Sequence, residues 1–114
     1  MGWQDVLDEW RRDAIPVEER LSKVISVVEN VFPKKLEWKS GTHIKVTDDR
    51  LLFYKKKVRS QDDKVAQDGS FQIIVKNKLV AKFYIKRLLY MIEIIEHVND
   101  VNKIYERWKN EKKS

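Results

Sequence analysis

Apolar positions Trp3, Val6, Leu7 and Trp10 fall at i, i+3, i+4 and i+7, one face of a helix over about 3–12. A second stripe, Leu21, Val24, Ile25, Val28 and Phe32, predicts another helix. Pro16 suits its first position, Glu18 and Glu19 its first turn, where the dipole favours negative charge, and Pro33 ends it. The period then shortens to two. Leu36 and Trp38 alternate with Glu37 and Lys39, and Ile44 and Val46 with His43, Lys45 and Thr47. That is a strand pattern broken by Ser40-Gly41. After the polar turn Asp48-Asp49-Arg50, residues 51–54 read as a short strand or its lead-in. Residues 55–70 carry few apolar side chains and predict a long, mobile loop. Residues 71–75 are β-branched and aromatic enough for a clear strand, and Asn77 marks a turn. Ile85, Leu88, Leu89, Ile92 and Ile95 give a broad helical stripe. Asn99-Asp100 interrupts it, and Val101, Ile104, Tyr105 and Trp108 predict a terminal helix over about 100–111.

This pattern defines an α+β protein. Residues 16–98 read α-β-β-β-α, a small antiparallel three-stranded sheet packed against helices, with extra N- and C-terminal helices. The 114 residues form a single domain, 1–114, with room for one modest core. Cysteine is absent, which excludes disulfides, zinc–thiolate sites and thiol nucleophiles. No run of about 18 apolar residues occurs, so no membrane span is expected. The first residues lack the basic and apolar regions of a signal peptide. A cytoplasmic location is the expectation.

Charge changes the picture through its distribution. The net charge is +6, and residues 33–60 alone hold 9 basic and 3 acidic side chains. A basic zone of this kind is the footprint of a polyanion binder. Lys39, Lys45, Lys55, Lys56, Lys57 and Arg59 are candidate phosphate contacts there, with Trp38, Phe53 and Tyr54 interleaved. The aromatics fit the core better than a base-stacking role. Lys82, Lys86 and Arg87 lie near the start of the last long helix. Cations there oppose the dipole unless an anion binds.

His43 follows Gly41-Thr42 and opens a strand. A histidine exchanges protons near neutral pH without a metal, which suits deprotonation of a ribose 2′-hydroxyl or protonation of a leaving oxygen. The ordinary alternative is a polar strand-end residue. His97, near a helix end, reads as structural. No His, Cys or carboxylate spacing makes a metal site, and no cofactor is expected.

Three segments carry a family resemblance: LEWKSGTHIKV (36–46), GSFQIIV (69–75) and AKFYIKRLLYMIEIIE (81–96). They resemble the strand entry, third strand and closing helix of the HicA family of toxin–antitoxin ribonucleases. The resemblance implies a double-stranded-RNA-binding-domain-like (dsRBD-like) fold and metal-independent cleavage of mRNA. It also implies His43 as the catalytic residue and a HicB-type antitoxin as partner. Two other readings stand beside it. One is a non-catalytic RNA binder that reads shape through basic residues. The other is an interaction module, with the terminal helices as a homodimer or antitoxin interface.

Overall fold

The computed structural model describes residues 2–100. Its order is α1 (Trp3–Arg11), β1 (Glu18–Arg20), α2 (Leu21–Val31), β2 (Glu37–Trp38), β3 (His43–Thr47), α3 (Asp49–Phe53), β4 (Ser70–Lys76), β5 (Leu79–Ala81) and α4 (Lys82–Asp100). A widened, π-type turn over Tyr54–Val58 extends α3. The chain is α+β, as its periodicities predict. The terminal helix expected over 100–111 lies outside the described residues beyond Asp100. α4 itself runs through Asn99 and Asp100 without the expected interruption. No described helix is long and apolar enough to cross a membrane.

The sheet has five antiparallel strands in the order β1-β5-β4-β3-β2, not three. α2, β2, β3, β4 and α4 reproduce the expected helix–three-strand–helix order. β5 comes from a two-residue hairpin loop. Lys76 pairs with Leu79, and Asn77 and Lys78 both have positive φ, the twist that suits a tight hairpin. β1 replaces the first turn expected for the second helix. Glu18–Arg20 instead pairs with β5, where the buried Glu19 accepts a hydrogen bond from the Trp10 indole at 3.0 Å and one from the Arg20 amide at 2.8 Å. Pairing a free edge and satisfying a buried carboxylate outweigh the modest dipole benefit of acidic residues in a helix.

Strand periodicity sorts the sheet into two faces. Ile44, Val46, Phe71, Ile73, Val75 and Val80 are buried beneath the helices, and Phe32, at the end of α2, meets Phe71 at a centroid distance of 5.5 Å. His43, Lys45, Thr47, Gln72, Ile74 and Lys76 take the alternate positions on the opposite face. α1 buries Val6, Leu7 and Trp10 against α2 and α4. The stripe expected to serve as an association surface therefore packs within the chain.

Residues 51–54, expected as a short strand or its lead-in, are helical. Asp48 caps α3, accepting from the Arg50 amide at 2.7 Å, a local bond that favours helix initiation over extension. Arg50 folds back on the same carboxylate at 2.8 Å and donates to the Val31 carbonyl at 3.1 Å. The expected mobile loop begins as the π-type turn, closed by the Arg59 amide on the Tyr54 carbonyl at 2.9 Å. The rest is fastened at the buried Asp62. One carboxylate oxygen of Asp62 accepts from the Tyr54 hydroxyl at 2.7 Å and from the Tyr90 hydroxyl, and the other accepts from the Lys64 amide at 3.0 Å. Val65 is buried beside it.

Candidate nucleic-acid interface

The strand entry presents His43 on the helix-free sheet face. Its Nδ1 lies 2.8 Å from the Thr42 hydroxyl and 3.2 Å from the Ser40 hydroxyl. The Lys39 amide donates to the His43 carbonyl at 2.9 Å, so the hairpin places Lys39 across from His43, and Lys45 is two residues along the same strand. Both cations are ion-paired: Lys39 with Glu37 and Lys45 with Asp68, each at 2.7 Å. The Lys39 bond holds Glu37 below the usual carboxylate range. The Asp68 contact raises Lys45, and Lys45 with Ser70 lowers Asp68. The geometry thus gathers His43, Lys39 and Lys45, but with their charge balanced by two carboxylates.

The triple-lysine stretch divides. Lys56, Lys57 and Arg59 are exposed. Lys55 is only 6% exposed and donates to the Asp62 carbonyl at 2.6 Å. It is a buried anchor rather than the phosphate contact expected from the sequence. Consecutive side chains on a helical turn point in different directions, so three adjacent lysines do not share one surface.

On α4, Phe83, Lys86, Arg87, Tyr90, Ile94 and His97 follow helical spacing on the side away from Ile85, Leu88, Met91, Ile92 and Ile95; of the former set, Ile94 is buried and Tyr90 partly so, while Phe83, Lys86 and His97 are exposed. The segment after the π-type turn lies along this outer stripe. Lys64 joins Phe83, Lys86, Arg87 and Tyr90 around a hollow of about 250 Å³. Arg59 and Val58 join Tyr54, Tyr90, Glu93, Ile94 and His97 around a second, of about 260 Å³. Tyr90 borders both. The Lys64 ammonium sits 5.1 Å from the Tyr90 ring centre, and the Arg87 guanidinium 4.8 Å from that of Phe83. These are cation–π contacts, each contributing about 0.5–1 kcal/mol at exposed sites.

Of the cations nominated from the sequence, Arg59, Lys86 and Arg87 therefore come together on one strip. None of the three forms an ion pair among the described residues. Lys82 opens α4, where its amide donates to the Val17 carbonyl at 3.0 Å. The first turn of α4 holds no acidic residue. Sequence reasoning missed Lys64, Phe83 and Tyr90. Phe83 and Tyr90 had a legible signal, because they share helical spacing with Lys86 and Arg87 and lie off the apolar stripe read from the sequence. Lys64 had none, since it reaches the strip only through the fold of 59–69.

No protein family, curated protein or solved structure matches this chain.

Proposed function

We propose that the protein binds RNA through the outer face of α4 and the 55–64 segment laid beside it. The observation that supports this most directly is the run of Arg59, Lys64, Lys86 and Arg87 around Tyr90, cationic and interleaved with aromatic rings. Cations neutralise phosphates and release condensed counterions, and rings offer stacking surfaces. The test is fluorescence anisotropy with a labelled RNA hairpin bearing single-stranded tails, at rising salt. The expected result is affinity that falls steeply with salt. Lys86→Gln with Arg87→Gln binds more weakly, and its salt slope is shallower by about one unit for each phosphate that the variant no longer neutralises. Salt-independent binding, or unchanged binding by the double variant, overturns the reading.

A second reading, RNA cleavage of the HicA kind, has one observation in its favour. The His43 ring is held through Nδ1 by Thr42, while Nε2 makes no hydrogen bond among the described residues, on a face flanked by Lys39 and Lys45. Cleavage of the same RNA in EDTA by wild type, with its loss in His43→Ala while binding persists, would establish it. Absence of cleavage by both proteins, with binding intact, leaves the non-catalytic binder.

A further inference from the structure

Phe83 is 58% exposed in the first turn of α4. An aromatic ring left in water forgoes much of the ~1.5–3 kcal/mol available from burial. The Tyr84 ring meets it edge-on at a centroid distance of 5.1 Å, and Arg87 lies 4.8 Å from its centre. The ring is therefore propped by two neighbours while more than half of its residue surface remains open. The hollow beside it is almost wholly apolar, and Lys64, Lys86 and Arg87 surround it. A flat apolar floor with cations at its margin matches a nucleobase with the phosphates on either side of it. A duplex offers only phosphates and base edges, its base faces being stacked inside, so a duplex would leave this floor uncovered.

We infer that the hollow between Phe83 and Tyr90 takes an unpaired base of single-stranded RNA. The base stacks on Phe83, and Lys64, Lys86 and Arg87 hold the adjoining phosphates. The inference rests on the RNA-binding reading and narrows its ligand to unpaired strands. Stacking tolerates sequence, because every base has a π-face, so the site discriminates by strandedness rather than by base identity. Arg87 has two roles: it props the ring and supplies charge at the rim.

The experiment compares a labelled single-stranded 12-nucleotide RNA with the blunt duplex formed by annealing its complement. Wild type, Phe83→Ala, Phe83→Tyr and Lys86→Gln are each titrated by anisotropy. A single-stranded probe carrying 2-aminopurine reports stacking directly. Wild type is expected to prefer the single strand and to quench the probe. Phe83→Ala weakens single-strand binding by roughly 5- to 100-fold, the range for losing one stacked base, abolishes quenching and leaves duplex binding unchanged. Phe83→Tyr keeps both affinity and quenching. Lys86→Gln weakens both ligands and reduces the salt slope. Because Phe83 lies outside the buried core, loss of fold does not mimic these results, and circular dichroism of each variant verifies it. Should Phe83→Ala bind the single strand as wild type does while Lys86→Gln weakens it, the stacking site is overturned and RNA binding survives. Failure of wild type to bind either RNA overturns both. Equal binding of polyglutamate, insensitive to Phe83, also overturns both by showing indifferent attraction of polyanions.

Discussion

Asp62 fastens the segment after α3 through the three hydrogen bonds that its carboxylate accepts. Burial alone would raise its carboxyl, but bonds donated by Tyr90, Tyr54 and the Lys64 amide, with the Lys64 charge, hold it below the usual value. Burial, followed by the bonds to Tyr90 and Asp62, pushes the Tyr54 hydroxyl far above its ordinary value. The two shifts bound a pH window. A depressed carboxyl contributes stability that is full above its unfolded value, about 3.9, and is lost as acid titrates the folded group. A raised phenol contributes stability that is full below about 10 and is lost as alkali titrates the folded one. Denaturant unfolding across pH should therefore show a plateau from about 4 to 10 with declining flanks. Asp62→Ala should lower that plateau by about 1–3 kcal/mol, the cost of leaving buried donors unpaired. A plateau of wild-type height in Asp62→Ala would mean that the segment is held by other contacts.

Elements meet where backbone comes close to backbone, as they do at Gly69. Its φ is +76°, and a Cβ there would lie 2.6 Å from the Leu52 amide nitrogen. Its carbonyl accepts from the Asp48 amide at 3.1 Å, and its amide donates to the Ala66 carbonyl at 2.9 Å. Gly69 thus lets the chain turn into β4 directly against α3. Gly69→Ala combines a left-handed backbone with a clash against main chain that cannot move aside, and should cost about 1–3 kcal/mol or more. Thermal unfolding measures this directly, and a melting temperature equal to wild type would contradict the close approach. Residues 51–54 form a helix because Asp48 caps it and the segment packs on α4 through α3.

Across the whole molecule, charge separates into cations that hold the fold and cations that face outward. Lys55 and Arg50 belong to the first group, through Asp62 and Asp48. Lys56 and Lys57 belong to the second. Lys55→Gln should therefore lower the melting temperature by several degrees, the size of a ~1–2 kcal/mol change in a domain of about a hundred residues. Lys56→Gln with Lys57→Gln should leave the melting temperature in place and weaken RNA binding with a shallower salt slope. The opposite assignment of the two effects would mean that the π-type turn is oriented otherwise.

Periodicity by itself determined the amphipathic faces of α1, α2 and α4 and the two-residue alternation of β3 and β4, because each pattern follows from local geometry: 3.6 residues per helical turn and two per strand repeat. The sequence also determined the basic zone that contains Lys39, His43 and Lys45, whereas the β2–β3 pairing that makes them neighbours belongs to the structure. What it could not determine depended on partners distant in the chain. Glu18–Arg20 became a strand because β5 offered an edge, and Leu79–Ala81 could become one because Asn77-Lys78 turns with positive φ. Lys55 turned inward because Asp62 presented a carbonyl to it. Residues 59–69 found a place because two tyrosines, one of them 28 positions beyond Asp62, converged on its carboxylate. The Lys64–Phe83–Lys86–Arg87–Tyr90 strip belongs to the tertiary structure for the same reason. Local sequence sets which face a side chain takes, but only the packing of one segment against another decides which faces meet.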